Sequence, residues 1–379
     1  MTRPPFPIVS IGIATGLSVL GDAVLYSVLP SHYVHIGLTP LQVGILLSVN
    51  RWIRLASNHI AERCYRNSPV TFWLVSAFLA GSLVTAIYGT FKIFAVLFVA
   101  RTLWGTCFSF IRQAGIMTVV SVSSDTHLGK NMGFLTGINL SGWFVGMLGG
   151  GLIHDLFGFP FTLIAFSLLS LFAAPLGFLS QRGLNLIRTT PSDITFVRTD
   201  LGIMLCGFAT GMVGFGLLVS TLGLILRERV GMSMNLFGHT IGVATLTGMV
   251  LAARWVLGSV ASPLLGAVAD RMGRERSMPV LFVLGAMAMT FSSLSFHPLW
   301  MIGGVLVLFF CGTLLGITIS AKAGQQGAKA VASYATAFDL GSALGPLIGW
   351  TIVQVGLPTN LIFITGAIFY ALAAFASKP

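Results

Sequence analysis

The chain has 379 residues, of which 55% are hydrophobic and only 8% charged, with a formal net charge of +11. Soluble domains carry roughly 25% charged residues, and one water-facing fold could not bury this much apolar side chain. A soluble globular protein is excluded, and the basic excess has to be explained inside a bilayer before any nucleic-acid partner is invoked.

In chain order, apolar runs lie near residues 8–30, 40–61, 69–90, 93–118, 131–154 and 160–180. After a polar stretch from Gln181 to Asp200 they resume near 201–222, 237–261, 278–296, 299–320, 331–355 and 358–376. Each is about the 17–25 residues that a helix needs to cross hydrocarbon. The pattern predicts an all-α membrane protein of twelve transmembrane helices in two pseudo-symmetric six-helix halves. Residues 1–180 form the first half, 181–200 a cytoplasmic linker and 201–379 the second half. The first run is too long, and too polar at Asp22, for a cleaved signal peptide.

A cytoplasmic N-terminus places Arg3, Arg63, Arg66, Lys130, Arg182, Arg188, Arg198, Arg271, Arg274, Arg276, Lys322, Lys329 and Lys378 inside. Only Lys92, Arg227 and Arg229 then fall outside. This positive-inside bias puts both termini in the cytoplasm and absorbs most of the net charge without nucleic acid. A bacterial inner membrane is the expected location. The four cysteines (Cys64, Cys107, Cys206, Cys311) lack paired spacing and read as packing residues. His32, Tyr33 and His35 fall in the expected first outer loop. Met232, Met234 and His239 read as a chance cluster before a soft-metal site, so no metal and no cofactor is expected.

The halves repeat one another. Arg51-Trp52-Ile53 in the second run has a counterpart in Arg254-Trp255-Val256 of the eighth. Gly142, Gly146 and Gly150 in the fifth match Gly341, Gly345 and Gly349 in the eleventh, and "RTLWG" (101–105) matches "GTLLG" (312–316). A shift of six helices preserves orientation in the membrane, so the repeat is parallel, as in transporters of two six-helix halves.

These features resemble the major facilitator superfamily over essentially the whole chain. "GAVADRMGRER", Gly266 to Arg276, is similar to that family's G-x-x-x-D-R-x-G-R-R signature. The resemblance implies a conformational latch at Gly266, Asp270, Arg271, Gly273 and Arg274 that biases the switch between inward-open and outward-open states. "VARTLWG" resembles the fourth-span motif with a membrane-embedded arginine, here Arg101. "GWFVGMLGGG" resembles the fifth-span glycine motif of exporters, with Met147 at the motif's proline position; Gly345-Pro346 carries a proline in the eleventh span instead.

Buried charge points to the solute. Arg51, Arg54, Arg101, Arg112 and Arg254 lie within runs, against only Asp22 and Asp339. A charge at mid-bilayer costs about 2.5–3.5 kcal/mol on insertion scales, so such residues face the bundle interior and mark solute or proton paths. Asn50, Arg51, Arg54 and Asn58 share one broad helical face. Arg112, near the cytoplasmic end of its helix, snorkels. The excess of cationic groups calls for an anionic ligand, with Arg51, Arg54, Asn50, Arg254 and Trp52 as the substrate-binding set. The bland counterpart is a set of structural ion pairs. Trp52, Trp104, Trp143 and Trp255 either line a cavity or pack. Asp22 and Arg101 sit at matching depth, about 12 Å in at 1.5 Å per residue, and form a candidate proton-coupling pair or a permanent structural one.

The chain has no HExxH, GxSxG, P-loop or dinucleotide fingerprint, so the reading is a transporter and not an enzyme. The expected function is proton-coupled export of a small organic, anionic or amphipathic solute. An importer or facilitator of a small anion, and a non-transporting sensor on a transporter scaffold, stay open. The expected partners are the small-molecule anion, protons and the lipid bilayer, with the chain acting as a monomer.

Overall fold

The structure, a computed structural model, describes residues 4–124, 127–184, 201–236, 238–256, 274–295 and 297–377. Lipid offers backbone groups no hydrogen-bond partner, so a chain this apolar satisfies them within helices. Among the described residues there are twelve helical segments. The first six are α1 (Phe6–Ile36), α2 (Pro40–Asn67), α3 (Val70–Thr90), α4 (Phe94–Val122), α5 (Leu128–Phe157) and α6 (Phe159–Gln181). The other six are α7 (Leu201–Val230), α8 (Val243–Val256), α9 (Arg274–Leu294), α10 (Pro298–Gln326), α11 (Ala328–Gln354) and α12 (Asn360–Ala376). Nine of the described helices are long and apolar enough to span a membrane. The described part of α8 is shorter, as is α12, and α2 is long but polar, with Arg51 and Arg54 in its middle.

Two boundaries differ from the sequence reading. α1 runs through Pro30 to Ile36, so His32, Tyr33 and His35 stand on its last turns and not in a loop. One missing N–H is tolerated in such a helix because neighbouring groups satisfy the freed carbonyl. Between α7 and α8 a hairpin replaces the start of the eighth run. β1 (Ser233–Leu236) pairs antiparallel with β2 (His239–Gly242) in the register Ser233↔Gly242 and Leu236↔His239. Gly238, at φ +81, makes the turn that residues with a side chain rarely adopt.

The chain forms two compact units, one of residues 1–29 and 49–193, the other of 30–48 and 194–379. Within the first, α5 lies directly on α1. A methyl at Gly142 would collide with the backbone of Gly16, one at Gly146 with Leu20 and Ala23, and one at Gly150 with Val24. Tails of lipid are as apolar as leucine, so helices in membranes associate through such close packing of small residues. The N-terminal part of the same helix differs: methyls at Gly129, Gly133 and Gly137 would meet nothing among the described residues.

Within the second unit, α11 lies on α7 in the same way. Gly341 abuts Phe208 and Met212, Gly345 abuts Met212, Gly216 and Leu217, and Gly349 abuts Leu217 and Thr221. Here α7 contains a π-helical turn, Gly211–Leu217, whose sequence GMVGFGL supplies the glycines for a widened backbone. Residues 30–48 also belong to this unit. The Gly44 backbone sits against Trp350, Tyr33 meets the Trp350 ring edge-on at 5.2 Å, and Trp350 Nε1 donates to the Ser220 carbonyl at 3.1 Å. At the end of α7, Arg227 donates to the Ser31 carbonyl at 2.9 Å, and Arg229 to Asn360 Oδ1 at 2.7 Å.

Candidate functional site

The polar centre of the first unit begins with packing between α2 and α4. Gly105, the last residue of "RTLWG", lies against the Asn50 backbone and Ile53, where any side chain would clash. Lower on the same seam, Ser57 and Ser109 share a 2.7 Å hydrogen bond, and Tyr65 Oη donates to the Phe110 carbonyl at 2.7 Å. This seam brings Asn50 and Arg51 next to the helix that carries Arg101.

Arg101 is fully buried and Asp22 is 4% exposed, and the two are joined by a hydrogen-bonded ion pair from Nη1 to Oδ1. Arg101 Nη2 also donates to Tyr26 Oη at 3.3 Å. Tyr26, one helical turn beyond Asp22, is 1% exposed, and two guanidinium groups approach its ring. The Arg101 and Arg51 guanidinium carbons each lie 5.7 Å from its centroid, within cation–π range. Trp143 of α5 stands 6.2 Å from the same ring.

The other expected residues fall around this core unevenly. Arg51 and Arg54 are half-buried, and Arg54 lies 5.5 Å from the Phe108 ring. Asn50 is 6% exposed and its Oδ1 accepts no hydrogen bond. Trp52, one residue round the helix from Arg51, is exposed. Trp104, 2% exposed, packs onto Gly81 and is a core residue. Arg112 is exposed.

Arg254, in the second unit, has a different setting from the one its sequence match suggests. It is 4% exposed, its Nη1 donates to the Gly214 carbonyl at 2.8 Å, and its guanidinium stacks 3.4 Å from the Phe215 centroid. Both partners come from the π-helical turn of α7. The Tyr370 hydroxyl, buried and without a hydrogen-bond partner, faces the same glycine. Arg254 therefore clamps a widened turn. Gly266, Asp270, Arg271 and Gly273 lie outside the described residues, and Arg274 is the first described residue of α9.

Sequence reasoning missed Tyr26, Phe108, Phe215 and Gly214. Tyr26 carried a usable signal, four residues after Asp22 and so on the same helical face. Gly214 carried none, because a π turn has no sequence signature of its own.

The profile of the Major Facilitator Superfamily matches residues 11–325. The chain is 27% identical to the multidrug resistance protein MdtG of Rahnella sp. (strain Y9602) over 292 residues, 73% of this chain and 68% of that protein. It is 26% identical to MdtG of Citrobacter koseri over 268 residues, 66% of this chain and 63% of that one. Among solved structures it resembles a bacterial homologue of the human lysosomal transporter Spinster, in an inward-facing and occupied conformation. The TM-score is 0.79 at 11% identity, over 98% of this chain and 95% of that one. A mutant of the nucleoside transporter NupG gives a TM-score of 0.76 at 11% identity, over 98% of each chain. With its profile match and its fold in agreement, the chain belongs to the major facilitator superfamily and is an integral membrane transporter of small molecules.

Proposed function

We propose that this transporter moves a small amphipathic organic anion by alternating access between halves 1–180 and 201–379, in a bacterial inner membrane with both termini cytoplasmic. Arg51, with Asn50 and Arg54 beside it, takes the anionic group. Asp22 carries the proton and Arg101 senses it, while Asp270 in the loop after the eighth span tunes the switch. The observation that carries this reading is the buried Asp22–Arg101 pair sharing the Tyr26 ring with Arg51. A carboxylate whose counterion can be regained or lost as the cavity opens is a proton switch built from local electrostatics.

Export is the direction that the names of the multidrug resistance relatives favour. A specific observation favours a second reading, uptake of the anion together with a proton. Exchange requires proton and solute to exclude each other, whereas a proton on Asp22 removes the negative charge paired with Arg101 and makes the surroundings of the nearby Arg51 more favourable to an anion.

The test begins with a thermal-shift screen of organic anions and cations against the purified protein, followed by transport of a stabilising anion in oriented vesicles. Asp22→Asn abolishes accumulation driven by an imposed pH difference and leaves solute exchange measurable. A mutant that still concentrates the anion under that gradient places the coupling elsewhere. Stabilisation by cations alone overturns the choice of solute.

A further inference from the structure

We infer that the second unit holds a binding site for a small monovalent anion of halide size, between the Arg254 guanidinium and the Tyr370 hydroxyl beside Gly214. It is distinct from the solute path read at Arg51 and stands or falls without it. Three glycines shape the place. The Tyr370 ring lies against Gly285 of α9, where any side chain would clash with it, and meets Phe282 edge-on at 5.3 Å. So held, the ring sends its hydroxyl between Gly312 of α10 and Gly214 of α7. A methyl on Gly312 would meet that oxygen at 3.4 Å. A methyl on Gly214 would have as neighbours that oxygen and Arg254 Nη2, each at 3.8 Å, so the two groups face one point. Tyr370 is fully buried, and its hydroxyl has no hydrogen-bond partner. A phenylalanine would fill the same slot without burying an unsatisfied O–H, so packing alone does not account for this side chain.

Arg254 brings positive charge to the same point. The ring centroids of Phe215 and Phe309 lie 3.4 and 5.0 Å from its guanidinium carbon, which keeps water away and strengthens the field. The bond from Nη1 to the Gly214 carbonyl and the stacking on Phe215 stay in place with an ion alongside. The charge acts whatever else the guanidinium bonds. One cationic edge, one phenolic O–H and the C–H groups of two glycines suit an anion of single charge. Sulfate and phosphate carry more charge and more acceptor oxygens than these donors can serve. Once bound, the ion fastens α12 and α8 to the π-helical turn of α7.

Thermal unfolding of the purified full chain in potassium chloride, bromide, sulfate or gluconate, at a matched ionic strength of about 200 mM, tests the site. Chloride and bromide raise the wild-type melting temperature by about 3 °C over gluconate, and sulfate does not. Tyr370→Phe keeps the ring, loses the O–H and loses that increment. Gly214→Ala, whose methyl takes up the space at ordinary contact distance, loses it too. Gly316→Ala, one turn along α10 from Gly312, adds a methyl that meets nothing among the described residues and keeps the increment. The halide increment is the readout, since alanine in a helix is itself stabilising. No halide increment in wild type overturns the inference and leaves the hydroxyl to water. An increment of equal size in wild type, Tyr370→Phe and Gly214→Ala assigns the effect to the basic surface and overturns it as well. So does an equal response to sulfate. If Tyr370→Phe fails to fold, Gly214→Ala against Gly316→Ala decides. A halide bound at Arg51 contributes equally to every variant, so failure of the solute reading leaves these comparisons intact.

Discussion

Arg51 and Arg254 occupy matching places in the two repeats, each followed by a tryptophan, yet their surroundings differ in kind. Arg51 is half-buried beside a tyrosine ring that it shares with an ion pair. Arg254 is 4% exposed, bonded to a backbone carbonyl and stacked on a phenylalanine. The glycine seams that support them are alike, α5 on α1 in one unit and α11 on α7 in the other. Repetition has thus kept the backbone contacts while the polar groups took separate tasks. A helix seam tolerates almost no change in side-chain volume, whereas a charged group needs only some partner, and several will serve.

The seams give the largest expected effect. Gly142→Leu and Gly345→Leu each force a side chain into a neighbouring backbone, costing about 3 kcal/mol, the upper end for overpacking. Folded yield and monodispersity in detergent should fall for both. Gly133→Leu, on the part of α5 where an added methyl meets nothing, should leave both unchanged. Tolerance of one seam mutation but not the other would break the likeness of the halves.

Next come the arginines themselves. Arg254→Ala orphans the Gly214 carbonyl and should lower thermal stability by about 1–3 kcal/mol. Arg51→Ala should leave stability near wild type and weaken anion binding by about ten- to hundredfold, the worth of a charge-assisted bond in a partly dry cavity. Arg51→Lys keeps the charge without the planar fork and should retain part of the binding. An Arg51→Ala protein that binds its anion normally, or an Arg254→Ala protein of unchanged stability, would erase the distinction. The smallest effect on affinity belongs to Asp270→Asn, which should slow transport while equilibrium binding barely moves. A large affinity loss would assign Asp270 to the solute path.

Much of this was legible in the sequence because membrane folding leaves strong marks. Run lengths gave the helices, and glycines at every fourth position gave the seams, since only a periodic small-residue face lets two backbones touch. The Asp22–Arg101 pair followed from depth, because rise per residue is fixed in a helix. What stayed hidden depends on side-chain direction or on irregular backbone. Pro30 looked like a helix end and lies within one. The clamp of Arg254 required a π turn that composition alone does not announce.

The membership of residues 30–48 in the second unit bears on how the protein is made. This segment leaves the ribosome well before groups that it packs against, Ala343 and Gln354, which lie 295 and 313 residues beyond their partners, and Trp350. Contacts so distant along the chain close slowly, and until they close the last turns of α1 and the first turns of α2 lack these packing partners. α1 and α2 must therefore wait, partly unpacked, for α11. During that interval the tip of the first hairpin is where a chaperone, a protease or a wrongly paired neighbouring helix would find its opening.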